Sequence, residues 1–144
     1  MLFENFQRAR LQLVRIKTDQ ETFMDELKNP KDTEVRIQAG VAMFSDVHYL
    51  SICLNKIREL LDVLRQLHSN KNLREIMRNY GQLFRESNEF TNNLEHITEQ
   101  MKSGTIDLGN LIGTKFTFNN KDFEVGDSRA NEIEQLIQDI IGAL

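Results

Sequence analysis

Three histidines and one cysteine are the side chains of this sequence best suited to acid–base, nucleophilic or metal chemistry. His48, His68, His96 and Cys53 share none of the spacings, such as HExxH or paired Glu-x-x-His, that bring ligands one helical turn apart. The histidines therefore read as surface or boundary residues. Cys53 lies between Ile52 and Leu54 on an apolar flank, where a thiol behaves as a small hydrophobe. A reactive thiol wants an electropositive, partly exposed setting. Gly104, Gly109 and Gly113 suggest a phosphate cradle, but Gly109 to Lys115 has neither the GxxxxGK(S/T) spacing nor the strand-to-helix context of one. That stretch reads as a flexible tether. No serine nucleophile elbow and no zinc signature occurs, and carboxylates scattered along long helices read as solvated faces. The expectation is a non-enzymatic protein with no catalytic residue, no metal ligand and no cofactor.

Charge is distributed more informatively. The formal net charge is −4, which disfavours bulk binding of nucleic acid, whose partners are usually strongly basic. Residues 56–85 nevertheless carry seven Lys/Arg against three Asp/Glu, and residues 86–144 carry four against eleven. Lys71, Arg74, Arg78 and Arg85, spaced three, four and seven, form a basic stripe on one helical face. Such a stripe suits an anionic partner, either nucleic acid or another anionic surface. It equally suits the acidic C-terminal third of the same chain or of a neighbouring copy. Head-to-tail contacts of the latter kind build rings or filaments.

The elements that carry these residues follow from periodicity. Leu2, Phe6, Ala9, Leu13, Ile16, Phe23 and Leu27 alternate in steps of four and three, with Gln20 as the polar member, predicting a helix over 2–28 that Asn29-Pro30 stops. A second helix is expected over 33–68, capped by Asp32 or Thr33 and carrying the seam Met43, Val47, Leu50, Leu54, Ile57, Leu61 and Leu64. A further flank at Phe44, Ile52, Cys53, Leu60, Val63 and Leu67 makes it apolar over a wide arc, so it reads as the spine between two neighbours. Gly40 within it suggests a close crossing or a kink. The third segment, 72–102, keeps the pattern through Leu73, Ile76, Tyr80, Leu83, Phe90, Leu94, Ile97 and Met101, with Asn72 and Glu75 at capping-box spacing and a stop at Ser103-Gly104.

Beyond residue 104 the texture changes. Phe116 and Phe118 alternate with polar residues, as do Phe123 and Val125 beyond Asn-Asn-Lys-Asp. Pairing Phe118 with Phe123 and Phe116 with Val125 gives a β-hairpin with one apolar face. A last helix over 128–144, begun at Asp127-Ser128, presents Ile133, Leu136, Ile137, Ile140, Ile141 and Leu144. The expected fold is mainly α: an elongated antiparallel bundle of three long helices over 1–103, then a linker, hairpin and amphipathic helix over 104–144. The latter part would dock on the bundle or on a neighbouring chain, because an isolated hairpin is marginal in water. Phe116, Phe118, Phe123, Ile133, Ile137 and Ile140 are the expected partner-binding residues.

A helical hairpin, a further long helix, a loose linker and a short tail helix together resemble the ESCRT-III membrane-remodelling proteins. Val35-Arg36-Ile37-Gln38-Ala39 falls where that family has an Ala-Arg-x-x-Ala-like start to its second helix, and Ile133 to Leu144 falls at its tail helix. The resemblance implies a self-assembling subunit whose tail is bound by an ATPase. Segment one lacks that family's basic character, and a hairpin in the linker is foreign to it. From the residues themselves the expectation is a helical structural or assembly subunit, acting on a protein partner or on itself as a homo-oligomer. The acidic, amphipathic start, the single cysteine and the lack of an uninterrupted apolar run of about 20 residues suggest a cytoplasmic setting, or the inside of a host cell.

Overall fold

A computed structural model describes residues 1–29, 32–96, 110–112, 114–118 and 120–144. The fold is mainly α, with helices packed against one another and a small antiparallel sheet. The first two helices run where periodicity places them, α1 over Leu2–Lys28 and α2 over Thr33–His68. Asp32 caps α2 by accepting from the Glu34 N–H at 2.9 Å. The pair is an antiparallel hairpin: Arg15 approaches Asp46 at 3.9 Å near its middle, and Phe23 lies beside Gly40 towards the turn. A Cβ on Gly40 would meet Phe23 Cε2 at 4.0 Å, an ordinary contact, and α2 is continuous there. Gly40 thus marks neither a tight crossing nor a kink.

The third segment is present but kinked. Helix α3 covers Lys71–Asn79 and α4 covers Gly81–Glu95. Tyr80 sits between them at φ −98°, ψ 15°, followed by a glycine, which weakens helical continuity. Backbone bonds from Tyr80 N–H to the Ile76 carbonyl and from Phe84 N–H to the Tyr80 carbonyl carry the chain through the bend. Its side chain fixes the direction, because the Tyr80 hydroxyl reaches Asp139 Oδ2 at 2.7 Å. The N-cap of α3 is Asn70, accepting from Asn72 N–H and Leu73 N–H, so the Asn72–Glu75 capping box does not form. The expected continuation through Ile97 and Met101 to Ser103-Gly104 lies outside the described residues.

Three strands follow, β1 Asn110–Ile112, β2 Lys115–Phe118 and β3 Lys121–Glu124, in the order β1-β2-β3 with both pairings antiparallel. Residues 110–112 are therefore a strand and not part of a tether. The register also differs from the expected one: Phe116 pairs with Phe123, and Phe118 with Lys121. Asn120 takes φ 58°, a conformation asparagine tolerates in two-residue hairpin turns, so Lys121 and Asp122 join the strand. The shift is by two residues, which leaves each side chain on its own face. Val125 N–H donates to the Thr114 carbonyl at 2.8 Å and extends the ladder. The chain closes with α5, Asp127–Ala143.

One core joins all of this. Phe6, Leu13 and Ile16 of α1 and Val47, Leu50, Leu54, Ile57 and Leu61 of α2 are buried with Leu73, Leu83 and Phe90, with Phe116 and Phe123, and with Ile133, Leu136, Ile137 and Ile140. Phe90 stacks on Phe123 at 5.0 Å and meets Phe116 edge-on at 5.6 Å, so the sheet is roofed onto α4 by aromatic packing. Among the described residues, α2 is the one helix whose length and composition would suffice to cross a membrane, and its inner side lies in this core.

Arg129 of α5 locks the layers together. Its side chain is only 4% exposed. Nε donates to the Glu124 carbonyl at 2.9 Å, Nη1 to Glu132 at 2.6 Å and Nη2 to Glu86 at 2.7 Å. The guanidinium carbon lies 5.3 Å from the centre of the Phe123 ring. Helix α5, strand β3 and helix α4 thus meet on one cation. Arg129→Ala should lower the unfolding free energy by about 3 kcal/mol, because it strands Glu86 and a strand carbonyl. Arg129→Lys should recover less than half of that, since one ammonium cannot reproduce the planar fork to three acceptors. Urea denaturation of both variants checks this.

Candidate functional site

The side chains singled out for chemistry do not converge on a reactive centre. Cys53 is buried, and burial pushes its thiol above the usual range against a smaller opposing pull from Arg8. His48 and His68 stand 20 residues apart on α2, about 30 Å along its axis. Ser51 is the hydroxyl near His48, but its Oγ donates to the His48 carbonyl at 2.7 Å and not to the imidazole. It also accepts from Thr91 Oγ1 at 3.0 Å, and Thr91 accepts from Asn55 at 2.9 Å. These hydroxyls and the amide tie α2 to α4 as a buried polar seam. Among the described residues no group of three or more His, Cys, Asp or Glu could hold a metal ion.

One open cleft of about 420 Å³ lies between α1 and the start of α5. Its walls are Leu13, Ile16, Val125 and Ala130, with Lys17 and Asp127 4.0 Å apart. Its lining offers apolar surface and exposed charge, without an acid–base pair.

The expected partner-binding residues are placed unambiguously. Phe116, Phe123, Ile133, Ile137 and Ile140 are at most 4% exposed and covered by their own chain. The hairpin and tail fill the monomer's core, so these five side chains do not form a surface that a partner could touch. Phe118 ends β2, and its side chain lies outside the described residues.

The basic residues do reach solvent. Lys71, Arg74 and Arg78 lie on α3 and Arg85 beyond the kink on α4, all exposed. Arg78 approaches Glu75 at 3.6 Å. The acidic side chains of α5 are occupied elsewhere: Glu134 makes a bidentate pair with Arg10, Glu132 holds Arg129, Asp139 holds Tyr80 and Asp127 faces Lys17. The Arg10 bonds hold the Glu134 carboxyl below its usual range. Among the described residues, the acidic α5 does not satisfy the stripe within one copy.

A second surface was not among the expected sites. Helix α2 buries one side against α1 and α4 and leaves Val41, Tyr49, Val63 and Leu67 between 51 and 71% exposed on the other. Part of its signal was present in the sequence, because Ile52, Val63 and Leu67 belong to the second apolar flank. Comparison of the chain with family models, curated proteins and solved structures gives no match.

One buried acid remains to be explained. Asp46 on α2 is 8% exposed; burial raises its carboxyl above the usual range, a hydrogen bond with Asp19 adds to this, and Arg15 opposes it. A folded-state value above the unfolded one favours the fold below the unfolded pKa, and that benefit is lost as pH rises through the folded value. Asp46→Asn should therefore melt a few degrees higher than the parent at pH 7, with the difference shrinking as pH falls through the folded value and gone below about 4. Thermal unfolding at the two pH values checks this.

Proposed function

We propose that this chain is a helical assembly subunit that acts through protein–protein contact, foremost with itself, and that it performs no catalysis. The observation that carries the reading is the row of exposed apolar side chains along α2, on a molecule that already buries Phe116, Phe123, Ile133, Ile137 and Ile140 of its hairpin and tail. Contiguous apolar surface left outside a completed core marks a partner site. An α1–α2 hairpin is also expected of an ESCRT-III-like subunit. The proposal does not rest on it, because the sheet, whose Phe116 and Phe123 belong to the core, is foreign to that pattern.

The exposure of Lys71, Arg74, Arg78 and Arg85 supports a second reading, an anionic ligand on the α3–α4 face. Binding of a single-stranded oligonucleotide should then weaken steeply with salt and disappear on reversing the charge of Arg74 and Arg78. Absent or salt-independent binding removes this reading. For the leading one, light scattering coupled to size-exclusion chromatography should give a defined oligomer of the 16.8 kDa chain at both low and high salt. A monomer under both conditions overturns self-assembly.

A further inference from the structure

The outer face of α2 has an internal symmetry. Val41, Ile52 and Val63 are 11 residues apart in each step, three turns of helix, so they lie nearly on one line. Ile37 and Leu67 stand 15 residues before and after Ile52, and exposed Gln38 and Gln66 stand 14 before and after it. Read outward from Ile52 in either direction, the face gives a valine, a glutamine and then a large aliphatic residue. Of the other positions on this face, Ser45 mirrors Glu59, Tyr49 mirrors Asn55 and Lys56 mirrors His48, so no carboxylate faces another.

We infer that the occupant of this face is a second copy of the chain, paired antiparallel along α2 with the two-fold axis at Ile52; the inference rests on the assembly reading above. In such a pair Val41 of each copy meets Val63 of the other, and Ile37 meets Leu67, the reciprocal contact that a two-fold interface requires. An unrelated helix has no reason to match a pattern that reads the same in both directions. The step of about 3.67 residues per turn drifts the row slowly, and a shallow right-handed crossing absorbs that drift. The area is also adequate. Ile37, Val41, Tyr49, Val63 and Leu67, each at least half exposed, offer on the order of 600 Å² per copy, near the roughly 800 Å² of a standard interface before the flanking residues are added.

The test uses the full chain. Sedimentation equilibrium should give twice the chain mass. Val41→Glu and Val63→Glu should each reduce it to one chain with unchanged helical circular dichroism, because both sites are exposed in the monomer. Val14→Glu, at an equally exposed apolar site on α1, should leave the dimer intact. In a Cys53→Ala background, single spin labels at position 38 or at position 66 should each give one inter-chain distance of about 43 Å, from 28 residues of helix rise and about 10 Å between axes. A parallel pair would give about 10 Å at both positions and overturns the arrangement. An oligomer that survives both glutamate substitutions overturns this interface and leaves the assembly reading standing. A wild-type chain that stays monomeric overturns both.

Discussion

A guanidinium withdrawn from water must find acceptors for the N–H groups along its edges, and the position of Arg129 depends on meeting that demand. Its partners come from three elements, one of them remote in sequence: the Glu124 carbonyl of β3, Glu132 of α5 itself and Glu86 of α4, 43 residues away. Moving any one of them by an ångström leaves a buried charge short of a partner, at a cost of several kcal/mol. The sheet and the last helix are therefore held in one position on the bundle. Phe123, beneath the guanidinium and stacked on Phe90, adds apolar area to the same junction. The pairing between Arg10 and Glu134 extends this locking from α5 to α1.

The bend at Tyr80 follows from the same requirement. The third segment meets two helices, α2 and α5. With the bend, α4 lies along α2, joined by the Ser51–Thr91–Asn55 hydrogen bonds, and Tyr80 reaches across to Asp139 of α5. Asn70, at the start of α3, closes the far end by donating to the Ala143 carbonyl at the end of α5. The buried hydroxyls and amides are spent on setting register between helices, which accounts for polar residues at seam positions such as Ser87 without invoking chemistry.

Helix α2 connects the fold to its proposed role. It is apolar over more of its circumference than two neighbours cover. Both expected neighbours are present, as α1 and α4, and the remaining arc carries the row centred on Ile52. The apolar residues first expected to meet a partner, in the hairpin and tail, complete the core instead. The spine helix therefore carries exposed apolar surface on the side away from that core, and α1 carries more at Phe3, Leu11 and Val14.

Much of this was legible from local pattern. Seam periodicity and the Asn29-Pro30 stop bounded α1 and α2, and alternation located the phenylalanine strands, because these features depend on neighbours in sequence. Their inward face was right even though the hairpin register was not. Turn conformation at Asn120 decides the register, and a shift of two residues leaves no trace in the alternation. The third segment read as one helix because its heptads continue through Tyr80, while the hydrogen bond that ties Tyr80 to α5 comes from a residue 59 positions away. Arg129 carries no such local signal, since a lone arginine near a helix start looks like any solvated charge until Glu86 and the β3 carbonyl are brought to it. Which apolar faces are covered by the chain itself is likewise a matter of tertiary packing: the sequence by itself determined how many apolar faces exist, and only the docking of the sheet and α5 decided which of them remain open.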